Sequence, residues 1–116
     1  MPSTRELLAR KCHPTETALS QTDINACLVA VPDWQLDGNR IARTYQFKNY
    51  YETLAFINAI AYVIHLEDHH PEIVLTYNRC VIRFDTHSVN GGKGGISEND
   101  FICAAKVDAI FQQSFS

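Results

Sequence analysis

The sequence predicts an α+β domain: a four-stranded antiparallel sheet with three helices packed on one face, in the order α-β-β-α-β-β-α. Three features lead there. Polar pairs that cap helices, Ser20 with Asp23, Asn49 with Glu52 and Ser97 with Asp100, each open a run whose apolar residues recur every three or four positions. Asp37-Gly38-Asn39 is hairpin-turn chemistry between two short runs of extended character. A second pair of alternating runs meets at Asn78.

Taken in order, residues 1–19 read as an N-terminal tail with at most a short helical turn at Glu6–Lys11, and residues 20–116 as a single domain. The first helix follows the Ser20 cap, carries Ile24, Cys27, Leu28 and Val31, and stops at Pro32. Trp34–Leu36 and Arg40–Phe47 form the hairpin. Ile41, Tyr45 and Phe47 share one face, and Arg43 interrupts it. The second helix is the longest. Leu54, Ile57, Ala61 and Ile64 make its stripe, flanked by Phe56, Ile60 and Val63. Pro71 disfavours helical geometry at His70, so this helix ends about there. Glu72–Tyr77 and Arg79–His87 are the remaining strands, with Cys80, Ile82, Phe84 and Thr86 on one face of the last. Residues 88–96 hold four of the five glycines and read as a mobile loop with Lys93 solvated at its tip. A phosphate loop is not expected, because Gly-x-x-x-x-Gly-Lys-Ser/Thr is absent. The Ser97 cap then opens the last helix, with Phe101, Ala104, Ala105, Val107, Ile110 and Phe111 on its apolar side.

Composition narrows the function classes. The 116 residues are 46% hydrophobic with a net charge of −3 and no basic window, so a nucleic-acid partner is not expected. No apolar run approaches the roughly 20 residues that span a bilayer, and the first residues lack a secretion signal. Cytoplasmic placement is the expectation. Cys12, Cys27, Cys80 and Cys103 are widely spaced, with no C-x-x-C pair, and read as reduced small hydrophobes.

Chemistry concentrates around Glu67-Asp68-His69-His70-Pro71 and His87. Four of the five histidines lie between positions 65 and 87. Histidine is the side chain that exchanges protons near neutrality, so the cluster points to acid–base catalysis or to a metal site. For a metal, His65-x-x-x-His69 with His70 or His87 would supply three imidazoles, although the His-Glu-x-x-His motif is missing. A third reading is a protein-interaction module that uses the open edges of the sheet.

The run His69-His70-Pro71, Tyr77-Asn78, Thr86-His87 and Ser97-Glu98-Asn99-Asp100 resembles the pterin-4a-carbinolamine dehydratases. The likeness extends upstream to Tyr45-Gln46-Phe47-Lys48-Asn49 and Pro32-Asp33-Trp34, nearly the whole chain. It implies the same fold and the dehydration of a 4a-hydroxytetrahydropterin to quinonoid dihydropterin. It also implies recycling of a tetrahydrobiopterin-type cofactor for an aromatic amino-acid hydroxylase, no metal or cofactor of its own, and a homodimer or homotetramer. By the same resemblance His69 and His87 are catalytic, and His70, Pro71 and Thr86 bind substrate. Asp100 belongs to the motif, but its place three residues after Ser97 makes it a structural cap. Two departures stand out: the loop at 88–96 is longer than in compact members, and His65 replaces an acid found in some.

Overall fold

The computed structural model describes residues 2–116. Its elements are α1 (Thr4–Ala9), α2 (Gln21–Ala30), β1 (Gln35–Asp37), β2 (Arg40–Gln46), α3 (Tyr50–Glu67), β3 (Glu72–Leu75), β4 (Arg79–Phe84) and α4 (Glu98–Ser114). The four strands form one antiparallel sheet in the order β1-β2-β4-β3. The α+β architecture is as the sequence predicts, with four helices rather than three.

All three expected caps form: Ser20 accepts from Asp23 N, Asn49 from Glu52 N, and Ser97 heads a reciprocal pair with Asp100. Each such cap contributes about 1 kcal/mol to its helix. Register then decides which face of the sheet is buried. Ile41 pairs with Phe84, and Tyr45 with Cys80, so Ile41, Tyr45, Cys80, Ile82 and Phe84 share the face under the helices. Arg43 interrupts that face for a reason visible only in three dimensions. Its guanidinium lies 4.2 Å above the Tyr45 ring and 2.7 Å from Asp108 of α4. The Asp108 carboxylate also accepts from Trp34 Nε1 and the Tyr45 hydroxyl, so the charge is paired and its lone pairs are satisfied.

Several expectations are corrected. The stretch read as a tail carries α1, capped by Ser3, whose Leu7 is completely buried in the core. Thr4 Oγ1 donates to Ala30 O, and Arg10 pairs with Glu98 at 3.2 Å, so α1 is fixed to α2 and α4. Helix α3 buries Thr53, Phe56 and Ile60, whereas Ala61 is exposed. Its stripe is therefore rotated from the expected one, because Phe56 must reach an aromatic cluster with Tyr45, Phe47, Phe111 and Phe115. It ends at Glu67, because Asp68 adopts a left-handed conformation with φ of 50° and returns its N–H to His65 O. His69 has left the helix.

The regular part of β4 stops at Phe84. Thr86 instead pairs with Gly95 through two backbone hydrogen bonds, closing the glycine loop at its base. Val89 is fully buried, and Asn90–Gly92 form a single 3-10 turn that carries the outward tip, where Lys93 is exposed. Gly92 and Gly94 have φ of 87° and 88°, a region in which side chains are strained, so the tight return needs glycine there. No helix among the described residues is long and apolar enough to cross a membrane.

Candidate active site

A left-handed Asp68 turns the chain at the end of α3 and sends His69 inward and His70 outward before Pro71 sets it into β3. The His69 side chain is 11% exposed. Its ring lies parallel to Phe84, tilted by 7° with centroids 5.7 Å apart, and its Nε2 is 2.6 Å from Oδ1 of Asp100. Packing and a charge-assisted hydrogen bond thus hold it from two sides.

Asp100 is itself immobilised. It is fully buried at the third position of α4, and its Oδ2 accepts from Ser97 N at 2.9 Å and from Thr86 Oγ1 at 3.0 Å. The Thr86 hydroxyl also lies 2.6 Å from Ser97 Oγ. One carboxylate therefore closes the cap of α4 with one oxygen and orients a histidine with the other. The capping role was legible in sequence; the bond to His69, across 31 positions, was not.

Beside them lies a cleft of about 340 Å³. His69, His70, Thr86 and His87 all line it. His70 and His87 are exposed, with only long contacts to Asp68 (3.5 Å) and Asp85 (3.9 Å). The Thr86 hydroxyl is used inside the fold, and Pro71 is not among the lining residues. His65 is exposed on α3 and does not line the cleft, so the His65-x-x-x-His69 arrangement is not built. Among the described residues no three His, Cys, Asp or Glu side chains converge as metal ligands.

A family model described as pterin 4 alpha carbinolamine dehydratase matches residues 17–110. The chain belongs to this family. A relative from Bdellovibrio bacteriovorus, provisionally named pterin-4-alpha-carbinolamine dehydratase, is 55% identical over all of this chain and 97% of its own length. One from Nitrosospira multiformis with the same name is 46% identical, covering 92% of this chain and 94% of its own. A crystal structure of a transcriptional coactivator/pterin dehydratase from Brucella melitensis superposes with a TM-score of 0.73 at 33% identity. It covers 81% of this chain and 98% of its own.

One wall of the cleft lies before the region the dehydratase family model matches, and sequence reasoning missed it. Cys12, His13, Pro14 and Thr15 line it. They are strapped down by residues of known elements: Cys12 N donates to Glu67 Oε1 at 2.8 Å, and Asn99 exchanges two hydrogen bonds with the His13 backbone. Ser88 Oγ donates to Thr15 O. The place of Asn99 in the motif Ser97-Glu98-Asn99-Asp100, two residues after the cap, was the available signal for it, and nothing local marked the arm.

Glu67 anchors this wall. Burial alone would raise its carboxyl, but the Lys106 ammonium at 2.6 Å and the Cys12 N–H outweigh that and hold it below the ordinary 4.5. A carboxyl lowered in the folded state contributes stability above its unfolded value, lost as pH falls through the lower folded one. Wild type should therefore lose more stability than Glu67→Gln on acidification from about pH 6 to about pH 3. Parallel melting curves for the two across that range would contradict the assignment.

Proposed function

We propose that the protein dehydrates a 4a-hydroxytetrahydropterin to the quinonoid dihydropterin by histidine acid–base catalysis. The observation that carries this reading is His69, pinned by a buried Asp100 at the edge of a cleft shared with His70 and His87. The elimination breaks the bond from carbon 4a to its hydroxyl and removes a proton from the neighbouring ring nitrogen. Hydroxide leaves poorly, so the departing oxygen needs a proton, and each transfer is worth about 10²- to 10⁴-fold.

His69 serves as the base. With Nε2–H donated to Asp100, Nδ1 is left to accept the ring-nitrogen proton, and the carboxylate behind stabilises the imidazolium that forms. His87, free of short contacts, delivers a proton to the leaving hydroxyl. His70 binds the pterin. Pro71 and Thr86 act at one remove, Pro71 by fixing the His70 backbone and Thr86 by holding Asp100. No step calls for a metal or a cofactor, so exhaustive chelation should leave the rate unchanged. Activity lost on chelation and restored by zinc would transfer the case to a metal mechanism.

In this reading the reaction recycles the pterin cofactor of an aromatic amino-acid hydroxylase in the cytoplasm. A second reading is favoured by one observation, the coactivator half of the Brucella melitensis protein's name. A protein-partner role is compatible with an intact histidine cluster and would coexist with catalysis. Strands β1 and β3 leave both sheet edges unpaired, and a homodimer or homotetramer follows from covering them. Light scattering at micromolar concentration should return at least a dimer mass; a monomer would refute the assembly.

A further inference from the structure

All four cysteines are free thiols, and two of them meet. Cys12, in the irregular arm between α1 and α2, has its Sγ 3.4 Å from Sγ of Cys103 on α4. We propose that Cys12 and Cys103 are a redox modification site, at which a hydroperoxide converts the two thiols to a disulfide that ties the arm to α4.

Geometry selects this pair. A disulfide needs sulfurs about 2.05 Å apart, so closing from the present contact asks for an approach of about 1.4 Å. Rotation of the Cys12 side chain about its held backbone, with a small shift of an arm that lies in no helix or strand, supplies it, while Cys103 sits inside α4. Access is graded as the chemistry requires: Cys12 is half-buried and lines the cleft, whereas Cys103 is 1% exposed. Cys27 and Cys80 are buried in α2 and β4. The thiol–thiol hydrogen bond with Cys12, together with burial, pushes the Cys103 thiol far up. Cys103 therefore stays protonated, and Cys12 is the sulfur that attacks first.

The steps balance. The Cys12 thiolate attacks one peroxide oxygen, and an S–O bond forms as the O–O bond breaks. The second oxygen leaves with the proton Cys12 released, as an alcohol, or as water from hydrogen peroxide. Cys12 is now a sulfenic acid. The Cys103 thiol then passes its proton to the sulfenic hydroxyl as its Sγ attacks Cys12 Sγ; the S–S bond forms, the S–O bond breaks, and the hydroxyl departs as water. Two thiols have lost two electrons and two protons, and one peroxide has been reduced. The bond closes a chain segment separated by 91 positions and fixes the arm beside Asn99, leaving the histidines untouched.

The test treats the full chain with hydrogen peroxide, alkylates the remaining thiols and maps the peptides. The expected result is a Cys12–Cys103 linked peptide with Cys27 and Cys80 still alkylated. The oxidised protein should melt higher by about 10 °C, returning to the starting value with dithiothreitol. Cys12→Ser, a change at a half-exposed position, should melt like reduced wild type and show no rise with peroxide. Four alkylatable thiols after peroxide would overturn the proposal, as would Cys12 stopped at sulfenic or sulfinic acid with Cys103 free. A link between different cysteines or different chains would do the same. Peptide mapping of the unaltered chain decides this whether or not the variant folds.

Discussion

His69→Ala should lower kcat by about a hundred- to ten-thousandfold, the contribution of one positioned acid or base. The ring is nearly buried and held by Phe84 and Asp100, so its loss removes a fixed group, the one proposed to take the proton, rather than a mobile surface side chain. Truncation also leaves Asp100 Oδ1 without its partner, which costs on the order of 1–3 kcal/mol unless water from the cleft replaces it. Stability should fall modestly while kcat falls steeply. His87→Ala should lower kcat as well, and His70→Ala should act mainly on KM, since its contact is proposed to form in ground and transition states alike. A His69→Ala enzyme with wild-type kcat would end the assignment of His69 as base.

Asp100→Asn carries the second large effect, and it separates the two jobs of one carboxylate. The amide can keep its oxygen toward Ser97 N and Thr86 Oγ1, preserving the cap. That choice turns its NH₂ toward His69 Nε2, which must then accept, and the ring proton moves to Nδ1. The nitrogen proposed to take the substrate proton is thereby blocked. Where a carboxylate behind a catalytic histidine is replaced by amide elsewhere, the wrong tautomer lowers kcat by up to about 10⁴-fold, and a loss of at least about 10²-fold is expected here. Melting should change little. Asp100→Ala, by contrast, strips the cap and leaves buried donors unpaired, so it should lose about 2–4 kcal/mol of stability. An Asp100→Asn protein with full kcat would show that the carboxylate only caps α4.

The two variants mark where sequence reasoning reached and where it stopped. Helix starts and the hairpin were legible because their causes are local: Ser20, Asn49 and Ser97 bond within three residues of themselves, and Asp37-Gly38-Asn39 turns on its own backbone. The alternation of Cys80, Ile82, Phe84 and Thr86 gave the buried face of β4, because register preserves a period of two. Where α3 ends was misjudged, since Pro71 announces a stop while the actual turn is a non-glycine residue in a left-handed conformation. Helix α1 was read only as a possible short turn at Glu6–Lys11, for a different reason. Six residues hold no stripe, and a single Leu7 reaches the core only because α2 and α4 are there to receive it.

The histidine cluster stood out by composition, but its internal ranking did not. His69, His70 and His87 look alike in the chain, yet one is inside and oriented and two are outside. What separates them is contact with α4, far along the sequence, and a cap residue whose second oxygen no local pattern reveals. The arm that completes the cleft is of the same kind. Its backbone is held by Glu67 and Asn99, partners 55 and 86 positions away.

The most direct test of the central claim is the rate at which freshly generated 4a-hydroxytetrahydropterin loses water, with wild type and with a variant carrying His69→Ala, His70→Ala and His87→Ala together. Wild type should accelerate the loss well above the buffer rate, and the triple variant, folded by its circular dichroism, should match buffer alone. A wild-type rate no faster than buffer, or a folded triple variant as fast as wild type, would contradict the account.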